Sequence, residues 1–145
     1  MRHTFHIDTV DDTAEVFLKE LQARHQTGPC ILLFSGNLGA GKTTFIQSLA
    51  RTLGVIEQVT SPTFTMMRKY RIPENAYFDC LYHFDLYRIE DTSELDRIGW
   101  EDALSDPKGL VCVEWPEKAG EKLPSKSYDV LLEHTDNPDE RILVF

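Results

Sequence analysis

Between Gly36 and Thr43 the chain reads Gly-Asn-Leu-Gly-Ala-Gly-Lys-Thr, which meets every fixed position of G-x-x-x-x-G-K-[ST]. Each fixed residue has a physical job. Gly36 and Gly41 allow backbone angles and close approaches that a Cβ would block, and Gly39 adds further freedom. The backbone N–H groups of such a loop turn inward and cradle phosphate oxygens. A helix that opens directly after the loop presents its positive N-terminus to the same anion. Lys42 is placed to reach the β- and γ-phosphates, and the Thr43 hydroxyl to ligate a magnesium ion between them. The loop residues Asn37, Leu38, Gly39, Ala40, Gly41, Lys42, Thr43 and Thr44 are therefore the expected contacts of a nucleoside triphosphate. Nothing in the motif names the base.

A loop of this kind works with a carboxylate at the end of a neighbouring buried strand, which completes the magnesium site. Two positions qualify. Leu110-Val111-Cys112-Val113-Glu114 is an apolar run closed by an acid, a Walker B shape with Glu in place of Asp. Tyr82-His83-Phe84-Asp85 is a weaker version, and its Asp85 has Arg88 nearby as an alternative ion-pair partner. With two acids, one can sit on the metal while the other positions water or closes a loop. Glu114 is the first choice for the metal, with Thr43; Asp85, Lys42 and Glu114 are the candidate catalytic groups. Ser61-Pro62-Thr63 falls where many P-loop proteins carry a loop that senses the γ-phosphate, and an ordinary turn reads equally well there. Trp115 reads as a stacking residue or as a core tryptophan, and His83 as structural.

The elements needed to hold these groups are legible. Cys30–Ser35 is a continuous apolar run, as expected of a buried strand leading into the loop. Phe45, Ile46, Leu49, Ala50 and Leu53 then share one helical face, with Gly54 as a C-terminal stop. Upstream, residues 4–9 alternate as a short strand. Asp12 and Glu15 suggest a capping box for a helix that carries Ala14, Phe17, Leu18 and Leu21 to about His25. Further strands are expected at 81–84, 110–113, 128–132 and 141–145, with short helical segments at 92–98 and 100–104. Strands alternating with helices predict an α/β fold: one P-loop domain over residues 1–145, with a mostly parallel central sheet flanked by helices.

Composition narrows the class of function. A 145-residue chain with 41% hydrophobic and 27% charged residues can bury one core. The net charge of −9 argues against strong direct binding of nucleic acid, because such a field repels a phosphate backbone. Cys30, Cys80 and Cys112 fit no zinc or disulfide spacing, which points to a reducing compartment. Neither an apolar leader nor a membrane-length run is visible, so no membrane role and a cytoplasmic location are expected.

The loop extends to GNLGAGKTTF, and four further stretches follow in order: SPTF, HFDLYR, the Glu94–Gly99 stretch ELDRIG, and VEWPEKAG followed by Leu123-Pro124. Together they resemble the TsaE (YjeE) family over roughly residues 5–135. HFDLYR and VEWP carry more of that resemblance than the loop does. The resemblance implies a small P-loop ATPase, slow alone, that binds ATP and Mg2+. It would act with a TsaB–TsaD heterodimer in making threonylcarbamoyladenosine on tRNA, meeting tRNA through that complex. It further implies that Lys42 and Thr43 hold phosphate and metal, that Glu114 is the magnesium ligand, and that Asp85 is an acid near the γ-phosphate. Ser61 and Thr63 would form the switch-like loop, with Trp115 beside the site. No motif marks the residues over the adenine; the segment Thr9–Thr13, with Thr13 foremost, is the expected contributor. Two rival readings remain: a small-molecule P-loop kinase using residues 66–73 (MMRKYRIP) as a lid, and a nucleotide-gated binding module with negligible turnover.

Overall fold

The computed structural model describes residues 1–145. Its strands are β1 (Arg2–His6), β2 (Cys30–Ser35), β3 (Met67–Arg71), β4 (Cys80–Asp85), β5 (Gly109–Glu114), β6 (Tyr128–His134) and β7 (Glu140–Val144); its α-helices are α1 (Val10–Arg24), α2 (Lys42–Thr52) and α3 (Trp100–Ser105). They form a seven-stranded sheet in the order β1-β7-β6-β2-β5-β4-β3. The central strands β6, β2, β5 and β4 run parallel, and the outer pairings β1–β7, β7–β6 and β4–β3 are antiparallel. The expected α/β class with flanking helices holds, with a parallel centre and antiparallel margins. No helix is long and apolar enough to cross a membrane.

Because a strand alternates its side chains, the central strands feed two separate cores. Cys30, Leu32 and Phe34 of β2, with Leu110 and Cys112 of β5, pack against α1 and α2 through Phe17, Leu21, Phe45, Ile46 and Leu49. Ile31 and Leu33, with Val111 and Val113, face the opposite layer, where Phe84, Leu86, Leu95 and the fully buried Trp100 gather. The Trp100 indole N–H donates to the Lys122 carbonyl at 3.1 Å, so its polar edge is satisfied. Burial on both sheet faces explains why β2 and β5 are unbroken apolar runs instead of alternating ones.

Several local expectations change. The first strand ends at His6, and a 3-10 turn over Ile7–Thr9 leads into α1. The capping box at Asp12 and Glu15 does not form: the helix starts at Val10, so Asp11 and Asp12 lie inside its first turn, where the helix dipole favours acids. Asp11 instead accepts from Ser48 (2.5 Å) and Arg51 (2.6 Å), tying α1 to α2. A true capping box occurs at Asp91 and Glu94, opening a 3-10 helix over Thr92–Arg97. Two short 3-10 turns within Pro116–Lys122, broken at Gly120 (φ +53°) and not marked by periodicity, follow β5. Residues 66–73, read as a kinase lid, contribute edge strand β3 instead; Tyr70 is buried between the exposed Lys69 and Arg71, and Arg68 is exposed as well.

Gly36 closes the turn out of β2 with φ +139°, and a Cβ there would lie 2.2 Å from the Leu132 carbonyl oxygen of β6. Gly36→Ala should therefore destabilise the fold by about 2 kcal/mol or more. Gly28→Ala, at φ +86° but with open space around it, should cost about 1 kcal/mol. Urea unfolding of the two variants checks this; equal midpoints would contradict the close approach.

Candidate functional site

Helix α2, β4 and β5 converge because of register. Glu114 at the end of β5 lies opposite Phe34 on β2 and opposite Asp85 on β4. Along β4, Leu81 belongs to the α1–α2 layer, so His83 and Asp85, two and four residues on, face that layer too. Glu114 has the same parity as Leu110 and Cys112. All three polar side chains therefore turn toward α2, at the carboxyl ends of parallel strands, where ligands of open α/β sheets bind.

Glu114 is 3% exposed and accepts bonds from two elements. The Thr43 hydroxyl, in the first turn of α2, lies 2.9 Å from each carboxylate oxygen, and His83 Nε2 lies 2.7 Å from Oε2. Lys42 is equally enclosed: its ammonium donates to the carbonyls of Gly36 (2.7 Å) and Asn37 (3.2 Å) and sits 4.3 Å above the Trp115 ring. Trp115 takes a left-handed backbone, φ +57°, which costs energy for a non-glycine residue. That turn sends its ring over Lys42 and against Tyr87, centroids 5.1 Å apart. Asp85 accepts the Tyr87 backbone N–H (3.0 Å) and a longer bond from the Thr63 hydroxyl (3.3 Å), which is linked to Ser61 at 2.7 Å.

These groups surround one open cavity of about 380 Å³. The loop and α2 provide Leu38, Gly39, Gly41, Lys42, Thr43 and Thr44; the strand ends and following turns provide Asp85, Tyr87, Arg88, Glu114 and Trp115; Ser61 and Thr63 complete the wall. A second pocket of about 230 Å³ shares Gly39, Gly41 and Thr44 with the first and continues to Ala40, Phe5, Ile7, Val10 and Arg141. The pairing of β1 with β7 builds it, bringing residue 7 beside residue 139 through an Ile7 N–H to Asp139 carbonyl bond of 2.9 Å.

Burial and charge act against each other here. Burial pulls the Lys42 ammonium below its ordinary lysine value, opposed by the carboxylates of Glu114, Asp85 and Glu117. Burial, helped by repulsion from Glu114, pushes the Asp85 carboxyl up, while the bonds from Tyr87 and Thr63 hold it back. Thr43 and Glu114 together supply the hard oxygen donors that suit magnesium, which takes one or two protein ligands and completes its shell with phosphates and water. Such an ion, when bound, neutralises charge developing on the phosphate oxygens.

Not every residue expected at the site lies against these two cavities. Thr13 lines neither cavity: it is buried in α1 and its hydroxyl donates to the Thr9 carbonyl at 3.1 Å, a bond within the helix. Ile7, Val10 and Arg141 stand at the pocket instead, and a strand pairing over so long a separation leaves no local signal. Asn37 lines neither cavity; its carbonyl receives Lys42 and the Ala40 N–H. Arg88 does not pair with Asp85: its guanidinium stacks on Phe64, 4.6 Å from the ring centre. Tyr87 was not singled out, although it lies within HFDLYR.

Residues 7–143 match the family described as "Threonylcarbamoyl adenosine biosynthesis protein TsaE". Among curated proteins, the chain is 37% identical to a tRNA threonylcarbamoyladenosine biosynthesis protein TsaE of Nostoc sp., covering 88% of this chain and 83% of that protein. It is 37% identical to the Bacillus subtilis protein of the same name (79% and 68% covered) and 33% identical to that of Haemophilus influenzae (86% and 73%). A crystal structure described as Bacillus subtilus YdiB superposes with a TM-score of 0.62 at 25% identity, covering 99% of this chain and 83% of that one.

The raised Asp85 carboxyl has a consequence for stability. A folded-state value above the unfolded one means that the contribution is complete below the unfolded value and is lost as pH rises through the folded value. Asp85→Asn should therefore melt at a higher temperature than the parent at pH 7, with the gap closing as pH falls below about 4. A lower melting temperature for the variant at pH 7 would contradict the burial cost.

Proposed function

The chain belongs to the TsaE family, which takes part in tRNA threonylcarbamoyladenosine biosynthesis, and from that premise we propose that it is a magnesium-dependent ATPase acting with the TsaB–TsaD heterodimer. One observation carries the reading: the Thr43 hydroxyl, at the start of the helix that follows the glycine-rich loop, meets both oxygens of the buried Glu114 at 2.9 Å. A metal-ligating hydroxyl and carboxylate are thus held together where the β- and γ-phosphates would lie.

The nucleotide fits across both cavities. The phosphates occupy the larger one, over the N–H groups of the loop and the N-terminus of α2. The base fills the smaller pocket, against Ile7 and Val10, with Arg141 at its side. Lys42 leaves the carbonyls of Gly36 and Asn37 for the phosphate oxygens. A buried ammonium whose proton is weakened by burial regains full charge stabilisation beside a polyanion.

Hydrolysis needs a water opposite the leaving oxygen. Asp85, with Thr63 and Ser61 beside it, orients that water toward the γ-phosphorus. The water oxygen bonds to phosphorus, the bond from phosphorus to the β-phosphate oxygen breaks and its electrons stay on ADP, and of the two water protons one remains on the hydrogen phosphate and one passes to solvent. Asp85, Lys42 and Glu114 are the catalytic set in this reading, with Thr43 and Glu114 holding Mg2+.

The acidic chain and the outward side chains support dependence on a partner. Leu38, 72% exposed, lines the larger cavity with Tyr87, and Phe64, 83% exposed, lies against Arg88 of the same wall. Apolar groups left at the rim of a site suit a protein partner that covers it. In this reading tRNA is met through the TsaB–TsaD pair, and the protein works in the cytoplasm. The kinase reading loses its lid, because residues 67–71 form an edge strand. A binding module with negligible turnover differs from an ATPase in rate and is separated from it by assay.

Lys42→Ala should weaken ATP binding roughly 10- to 100-fold, the loss of one or two charge-assisted bonds; isothermal titration measures it, and unchanged affinity would sink the loop assignment. Glu114→Ala should lower Mg2+-dependent turnover with TsaB–TsaD about 10- to 100-fold while sparing binding. Normal turnover in that variant would move the metal to Asp85. Adding EDTA to the native protein should abolish hydrolysis.

A further inference from the structure

His83 is fully buried, yet its ring has one polar partner. Nε2 lies 2.7 Å from Glu114 Oε2, while Nδ1 is enclosed without a hydrogen bond. A carboxylate offers only lone pairs, so Nε2 is the donor. If the ring served packing alone, a leucine or phenylalanine would fill the space and leave no polar atom stranded, and a stranded buried atom is costly. Retaining a nitrogen there makes physical sense through what Nε2 does to Glu114.

Resting on the assignment of Thr43 and Glu114 as magnesium ligands, we propose that His83 is a positioning residue that selects the metal-facing oxygen of Glu114, its Nε2–H pinning Oε2 and leaving Oε1 for the ion. Both Thr43 contacts to the carboxylate depend on the hydroxyl proton pointing at Glu114. When the hydroxyl turns a lone pair to a cation, those bonds are given up. The bond from His83 is what then remains of the carboxylate's hydrogen bonding in the structure. The final torsion of a glutamate is broad. A planar ring held in the core between strands fixes it better than a mobile donor would. The histidine therefore acts before the metal arrives and persists after Thr43 has changed role.

The test compares His83→Leu, His83→Gln and His83→Asn in the full chain. The readouts are Mg2+ titration of fluorescent ATP-analogue binding, the same binding in EDTA, and thermal melting. Glutamine places an N–H where Nε2 lies, and asparagine places one where Nδ1 lies. His83→Leu and His83→Asn should raise the half-saturating Mg2+ concentration about 10- to 100-fold, with binding in EDTA unchanged. His83→Gln should return it to within about threefold of the parent. Equal Mg2+ dependence in the glutamine and asparagine variants would overturn the proposal, even if the leucine variant does not fold. Parental Mg2+ dependence in a folded leucine variant would overturn it too. If the parent binds the analogue with no Mg2+ dependence, the metal assignment itself fails; if only the variants behave like the parent, the role of His83 fails alone.

Discussion

A carboxylate shut away from water must find donors, and Glu114 finds them on two other elements of the fold. Thr43 comes from the first turn of α2 and His83 from the middle of β4, so one buried charge ties the end of β5 to both neighbours. The arrangement requires three things at once: parallel pairing of β5 with β2 and β4, a register that puts Glu114 beside Asp85, and a helix that begins at residue 42. A slip of one residue in either pairing would turn the acid into the opposite layer, among Val111, Val113 and Phe84. The apolar lining of both sheet faces prevents that slip, since it would also exchange the contents of two cores.

The backbone around this cluster is under constraint. Gly36 runs against the Leu132 carbonyl, and Gly41 enters α2 in a left-handed conformation, φ +97°. Trp115 holds a left-handed backbone without the freedom of glycine. Such local costs persist when the surrounding structure determines them, and they gather at sites that act on ligands. Here they bring loop N–H groups, an ammonium and an indole within reach of one cavity. Lys42 donates to two loop carbonyls and lies over the Trp115 ring. The charges are arranged for a polyanion: burial pulls the Lys42 ammonium below its ordinary value, and a phosphate beside it would restore the charged form.

The margins of the sheet add specificity to a common centre. The pairing of β7 with β1 and β6 brings both ends of the chain to one side of the molecule. It builds the pocket of Phe5, Ile7, Val10 and Arg141 beside the loop. On the other side, β3 is an exposed basic edge strand paired with β4, and Ser61, Thr63 and Tyr87 line the larger cavity. Leu38 at its wall and Phe64 against Arg88 are exposed apolar groups that water covers poorly.

Reading residues in order was enough for the loop, for β2 and α2, for the apolar run ending at Glu114, and for Asp85 at the end of β4. Local chemistry encodes all of these: glycine spacing, a run of apolar residues, and one helical face repeat at short range. The same local signals misplaced the start of α1, because a polar pair at Asp12 and Glu15 resembles a cap while Asp11 is engaged with Ser48 and Arg51 across 37 and 40 residues. Thr13, expected beside the nucleotide, has its hydroxyl bonded to the Thr9 carbonyl of its own helix. The use of His83, the second pocket and the lie of Trp115 over Lys42 were decided in three dimensions. Each depends on strand register or on a single backbone turn that joins distant residues, and separation along the chain erases any pattern that could announce them. Residue types carry the chemistry that is available; pairing and parity select which of those groups meet.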